Sequence, residues 1–411
     1  MTPQFPSPPL DAADPEKMIT QEAGIRTSVG QTLRISPLVA QDDLVAQGAP
    51  LACLRDAPDV QFVAPMAGRV ARISLQPGRK LSEIVLFAET VGDVVEHASK
   101  SATSVTTLRK LMQAAGVWPW LRRRPFGGMP GAAERPAAII VMAADTRPFA
   151  PDPRLALAGR QAAFGRGLQA LTLLTDGAVF VCHARGAPLS DPIEGVQSID
   201  TGVRHPQGSA GFCIHTLAPA SVDTPVWDIH AEDVAALGDL LDSGVLPMTR
   251  LVRIAGAGLR SSRLVHTQAG ADLRELTQRI TTPGAHMALS GSPLDGHEAH
   301  WLAPRHRQVT VLPRPRNGAA PHWFKAALTQ SALPKPVIPT AALTQAFGGA
   351  VPAVAFVRAL SAGDDEMAIK LGVLSLLEED LGLADYVLGG GADLAALLRG
   401  MLDRIRKELA P

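Results

Sequence analysis

Only three cysteines occur in 411 residues, Cys53, Cys182 and Cys213, far apart and with no Cys-x-x-Cys pair. That excludes a disulfide framework and a cysteine-based zinc or iron–sulfur site, and it fits a reducing compartment. Aromatic residues make up 4% of the chain, so its cores must be built mainly from aliphatic side chains. Charge of one sign is not in excess: 39 Lys and Arg balance 39 Asp and Glu, and no global field draws the chain to nucleic acid or an anionic bilayer. Met1–Asp11 carries four prolines and no basic segment followed by an apolar one, so it does not read as a secretory signal. The longest uncharged run, between Lys335 and Arg358, is broken by Pro336, Pro339, Gly348, Gly349 and Pro352, which argues against a membrane helix. Any membrane association is therefore expected through another protein.

What is there is apolar enough to fold, with 46% hydrophobic against 19% charged residues. The 37 glycines and 34 prolines point to many turns and short strands, against an all-helical bundle. No repeat of solenoid period is present. From Pro37 to Lys80, short apolar pairs alternate with turn signals such as Gly48-Ala49-Pro50 and Pro77-Gly78, the pattern of a small β-sandwich or barrel. Ala64-Pro65-Met66-Ala67-Gly68-Arg69-Val70 resembles the tight corner that opens the second half of a biotinyl/lipoyl-type barrel-sandwich. A working carrier of that type needs a lysine on the preceding hairpin, and Leu54-Arg55-Asp56-Ala57-Pro58 offers none, so a β-module used for docking is expected.

Next comes an α/β pattern. Ala137–Ala143 reads as a buried strand, Pro153–Leu174 as one helix, and Ala178–Cys182 as the following strand. A nucleotide-binding version would carry a glycine-rich turn after the first strand, so that backbone N–H groups could reach a pyrophosphate. Ala144–Asp152 has no glycine and adds carboxylates, which excludes the usual dinucleotide mode; Gly256 and Gly258 read as a hairpin corner. The order strand, turn, strand, helix over Thr249–Ile280 resembles a soluble-ligand-binding β-grasp. Leu394, Leu397, Leu398, Met401, Leu402, Ile405 and Leu409 define one face of a terminal helix, docked on its own domain or on a partner.

Candidate chemistry is sparse. His297-Glu298-Ala299-His300 misses the i, i+4 spacing that puts two imidazoles on one helical face, so no metal site is expected. No Gly-x-Ser-x-Gly elbow is present, and Ser290-Gly291-Ser292-Pro293 reads as a turn. Glu378-Glu379-Asp380 reads as a solvated helix start in preference to a cation site. The stretch Trp118–Pro130 is more pointed. Two Trp, one Phe and three Arg within nine residues offer apolar faces beside hydrogen-bond donors, as a quinone ring with its carbonyl oxygens would require. The alternative is a loop whose aromatics anchor it in the core while its arginines pair with nearby acids.

Arg124-Pro125-Phe126, Ala144-Asp145-Thr146-x-Pro148, Asp152-Pro153, Gly167-Leu168, His205-Pro206, Val226-Trp227, Ser290-Gly291-Ser292, His306-x-Gln308-Val309, Glu378-Glu379-Asp380-Leu381 and Leu397-Leu398-Arg399 resemble, in order and spacing, the A subunit of sodium-translocating NADH:quinone reductases (Nqr). The motifs are short, specific as a set, and cover nearly the whole chain. The resemblance implies a multidomain α+β and α/β protein. Its parts would be a biotinyl/lipoyl-like barrel-sandwich at residues 25–98 and, at 99–247, a Rossmann-like α/β domain similar to that of a respiratory complex I flavoprotein. A β-grasp (SLBB-like) module at 248–315 and a helical domain at 320–411 would complete it. The resemblance further implies a peripheral subunit on the cytoplasmic side of the bacterial inner membrane, docked on the other Nqr subunits and on the membrane-embedded B subunit in particular. As part of the complex it would contribute to quinone access while NADH oxidation drives sodium export, without catalysing alone. Ubiquinone would be the substrate, with NADH, flavins and Fe–S centres held by partner subunits and no cofactor, metal or nucleic acid on this chain. Arg123, Arg124 and Phe126 are the expected quinone contacts. A divergent paralogue serving only as a structural assembly module, with no small-molecule ligand, is the alternative. The chain departs from the family at Ala384 and Leu388, where cysteines are expected, at Arg260-Ser261-Ser262 in place of Asn-Lys-Pro, and between Gly349 and Ala350, where a stretch is missing.

Overall fold

The computed structural model describes residues 5–11, 13–27, 30–89, 92–99, 102–314, 340–389 and 393–409. The expected boundary at residue 320 lies outside them. Near the N-terminus two small sheets face each other, one of Glu22–Ile25, Lys80–Ala88, Gly68–Gln76 and Leu44–Val45, the other of Ile35–Pro37, Pro50–Leu54 and Gln61–Val63. Alternation along these strands turns Ile35, Leu51, Val70, Ile84 and Leu86 inward to a common core. The first of these strands begins before residue 25, and Arg55 and Asp56 sit exposed at the tip of the hairpin where a carrier would present its lysine.

A five-stranded sheet follows in the order Val196–Thr201, Val179–Ala184, Ala138–Ala143, Val226–His230, Arg122–Arg124. The first four strands are parallel and the last is antiparallel. Every residue of Ala138–Ala143 is buried, as befits a central strand covered on both faces. Helices Gln161–Thr172 and Ala231–Ser243 cover one face and Ala210–Leu217 the other. The first two cross backbone to backbone: a Cβ on Gly167 would sit 2.0 Å from the Val234 carbonyl oxygen, and one on Gly238 1.7 Å from that of Ala163. The single helix expected over Pro153–Leu174 is two, Pro153–Ala156 and Gln161–Thr172. Gly159 takes a positive φ of 74° between them, and Leu155 is left exposed.

The third unit is a mixed sheet of six strands. Thr249–Ala255 pairs antiparallel with Arg263–Gln268 and parallel with Gln308–Pro313, and Gln308–Pro313 in turn pairs antiparallel with His286–Ser290. The helix Leu273–Thr277, capped by Asp272, packs Leu273 and Leu276 beneath it. His297–Glu298 is a short edge strand, so the His-x-x-His pair is not on a helix. The last unit is helical, with Ala341–Ala346, Ala353–Ala362, Asp365–Lys370, Gly382–Val387 and Leu394–Leu409 packed around Phe347, Phe356, Leu381 and Leu398. The terminal helix turns Leu394, Leu398, Met401, Leu402 and Ile405 inward, docking on its own domain, while Leu397 and Leu409 of the expected apolar face are left exposed. Among the described residues no helix is long and apolar enough to cross a membrane.

Candidate functional site

Where the four units meet they line an open cavity of about 910 Å³. Gln31 and Leu33 reach it from the barrel-sandwich, Arg122, Arg123, Phe126 and Asp228 from the α/β sheet, Asp295, Arg305 and His306 from the mixed sheet, and Glu378, Glu379 and Arg399 from the helices. Its wall is unusually rich in charge, and pairing decides which charges are available.

The arginine run that reads as a loop in the sequence is an edge strand. Arg122 stands opposite Asp228, Arg123 opposite Trp227 and Arg124 opposite Val226. Because side chains alternate across a strand, Arg122 and Arg124 share a face with Asp228 while Arg123 turns away. Arg122 Nε and Nη2 each donate to Asp228 at 3.0 Å, and Arg124 Nη1 donates to Asp228 Oδ2 at 3.0 Å. Burial alone would raise the Asp228 pKa, but the two guanidiniums hold it well below the usual carboxylate range. On the other face, Arg123 Nε lies 3.2 Å from Glu134 Oε2, and Glu134 Oε1 accepts from the Trp227 indole at 2.7 Å.

The acidic cluster is not a solvated helix start. Asp380 is fully buried; its carboxylate accepts from Ser209 Oγ at 2.8 Å and from the backbone N–H groups of Gly211 and Leu377 at 3.1 and 2.8 Å. Arg124 Nη2 lies 3.7 Å from both Asp380 and Glu379, Arg122 also pairs with Glu379, and Glu378 accepts from Arg399. Glu379 and Asp380 hold the helical unit to the arginine strand, while Glu378 pairs within the helical unit. A continuous segment of charge reads as solvent-facing only when nothing else covers it, and the covering arginines lie more than 250 residues away in sequence.

Of the three expected quinone contacts, Arg123 and Phe126 line the cavity and Arg124 does not. Arg124 is completely buried behind the strand in its acid pairs. Phe126 is nearly buried too, at positive φ beyond the strand, and packs into the helical unit's core. Trp118 and Trp120 are buried in the α/β core, with the Trp118 indole donating to the Pro130 carbonyl at 3.0 Å.

Across the cavity lie residues to which the sequence assigned no site role, Asp145 and His306 having entered only as parts of the family motifs. Arg147 bridges Asp145 and Asp295, with Nη1 2.9 Å from the latter. His306 Nδ1 shares a hydrogen bond with the Ser290 hydroxyl at 2.8 Å, and burial pushes this imidazole down to about 4, so it is neutral at physiological pH. His230 Nδ1 accepts from Glu232 N–H at 3.2 Å, and burial followed by the Arg307 charge pushes it down to about 3. The one sequence signal for this wall was the crowding of Arg305, His306 and Arg307 just before a strand. No group of three or more His, Cys, Asp or Glu among the described residues is arranged to hold a metal ion.

Comparison with known proteins bears on the same regions. Residues 15–89 match the NqrA N-terminal barrel-sandwich hybrid domain and residues 103–246 the NqrA second alpha/beta domain. The chain is 34% identical over 403 residues to the A subunit of the Na(+)-translocating NADH-quinone reductase of Teredinibacter turnerae, covering 90% of each chain. It is 33% identical to its counterpart from Serratia proteamaculans, covering 92% and 91%, and 32% identical to that from Rhodopirellula baltica, covering 90% and 89%. Among solved structures, an NAD+-reducing [NiFe]-hydrogenase aligns with a TM-score of 0.39 at 14% identity over 75% of this chain and 64% of the other, too slight a likeness to build on.

Proposed function

This chain belongs to the NqrA family, the A subunits of Na(+)-translocating NADH-quinone reductases, and from that premise we propose that it is a peripheral subunit of such a complex, not catalytic alone. It docks on the other subunits, the membrane-embedded B subunit foremost, at the cytoplasmic side of the bacterial inner membrane. Flavins and Fe–S centres reside in the partners, and sodium export is coupled to NADH oxidation through them. The mixed sheet, with Thr249–Ala255 parallel to Gln308–Pro313 and a helix between, supports reading the third unit as a β-grasp. The α/β sheet with helices on both faces supports the Rossmann-like reading of the second.

One observation carries the quinone part: a cavity of about 910 Å³, within the range that takes small organic molecules, with Arg123 and Phe126 among its lining residues. Arg123 Nε is buried beside Glu134, and it is the other N–H groups of the guanidinium that would serve a quinone carbonyl. Arg124 then serves from behind, fixing the strand through Asp228 and Asp380. The alternative, an assembly module without a small-molecule ligand, draws on the same strand, since Arg122 and Arg124 are already paired with acids. A tagged pull-down from solubilised membranes tests the role in the complex. Co-purification of multi-span NADH-quinone reductase subunits is expected; recovery of the chain alone would remove the assignment.

A further inference from the structure

Arg305 differs from the paired arginines deep in the cavity. Arg122 pairs with Asp228 and Glu379, and Arg147 with Asp145 and Asp295. Arg305 forms no ion pair with any described residue, and its Nη2 is buried without a hydrogen-bond partner among them. The carboxylates that feel its charge most are Asp228, Glu379 and Asp233. Each is engaged elsewhere: Asp228 by Arg122 and Arg124, Glu379 by Arg122, and Asp233 by Arg307 at 2.7 Å. Arg305 is part-buried on the cavity wall, and desolvation followed by the neighbouring Arg122 charge pushes its pKa down to about 9 against the pull of Asp228, Glu379 and Asp233, none of which pairs with it directly. A guanidinium presents five N–H donors in a planar fork matched to two oxygens of one anion, and the part-buried fork of Arg305 is met by no described side chain.

We propose that this part of the cavity is a binding site for an oxyanion, the phosphate or carboxylate group of a small molecule, received by the guanidinium of Arg305. The anion supplies the missing counter-charge, and the remaining volume takes the body of the molecule that carries it. The acids nearest Arg305 do not repel it in full because Asp228 and Glu379 share Arg122 and Arg124, and Asp233 is paired with Arg307. The anion contact is assigned to Arg305 and uses neither Arg123 nor Phe126, which line the same cavity.

The test is calorimetric titration of the full chain with inorganic phosphate, adenosine monophosphate and benzoate, with sodium chloride at matched ionic strength as control. The arms separate a free phosphate, a phosphate on a larger body and a carboxylate. The proposal expects saturable binding of at least one of them, weakened about tenfold or more in Arg305→Gln and retained in Arg123→Gln. It also expects Arg305→Met to melt no lower than the wild-type chain in anion-free buffer, because the cation it removes has no partner to lose. Absence of saturable binding by all three up to about 10 mM, equal binding by Arg305→Gln, or a clearly lowered melting temperature of Arg305→Met would each overturn it. Photolabelling of Arg305→Gln by a quinone analogue should match the wild-type chain, so failure here and failure of the quinone reading are told apart.

Discussion

The α/β core and the seam between the four units are stabilised by opposite means. In the core, Ile139, Val141, Leu168, Val234 and Leu237 are wholly buried, and two helices touch backbone to backbone at Gly167 and Gly238. In the seam, buried arginines and carboxylates meet in pairs, and the imidazoles of His230 and His306 are kept neutral beside them. An apolar core tolerates any pH and salt but no extra volume; a charged seam tolerates small changes of shape but not the loss of one partner. The difference teaches where binding can evolve, since only the seam has room, donors and acceptors.

The largest expected effect separates the two by pH. His205, His230 and His306 are pushed down to about 4, 3 and 4, each chiefly by burial. Their folded pKa values lie below the unfolded value, so the unfolded chain binds more protons between about pH 6.5 and 4, and stability is lost as pH falls through that window. Thermal melts at pH 7.5 and 5 should differ by about 1–2 kcal/mol per histidine. The loss should appear first as release of the helical unit, in hydrogen exchange, while Ala138–Ala143 stays protected. Next in size, Asp228→Ala leaves Arg122 and Arg124 buried without their main partner and should cost about 3–5 kcal/mol in chemical denaturation. Gly238→Ala strikes the core instead, forcing two helices apart at a cost of about 1–3 kcal/mol with no change in the pH profile. Arg404→Ala removes a largely exposed pair with Asp365 and should lower stability, read from the same denaturation curves, by less than about 1 kcal/mol.

The same contrast explains what was legible in the sequence. Core strands and the terminal helix were readable because burial imprints a local period: Ala138–Ala143 is uniformly apolar, and Leu394, Leu398 and Ile405 recur on one face. The break at Gly159 was missed because apolar residues on both sides keep helical spacing, although Leu155 ends up exposed. Seam residues leave no such period. Glu378-Glu379-Asp380 looks solvated in one dimension, and only the fold brings Arg122, Arg124 and Ser209 over it. Likewise the arginine run was legible as a place of chemistry, but not its division into two paired structural arginines and one turned to the opposite face, because that follows from the antiparallel pairing with Val226–Asp228. Arg305 was invisible as a special residue, since what distinguishes it is the partner it does not have among the described residues.

The central claim is that the seam takes a quinone head group against Arg123 and Phe126. Photolabelling the intact membrane complex with a quinone analogue, then mapping the labelled peptide on this chain, tests it most directly. Label within the stretch Arg122–Met129, competed away by excess ubiquinone and reduced in Arg123→Gln, is the predicted result; competable label confined to other parts of the chain, or to other subunits alone, would contradict it.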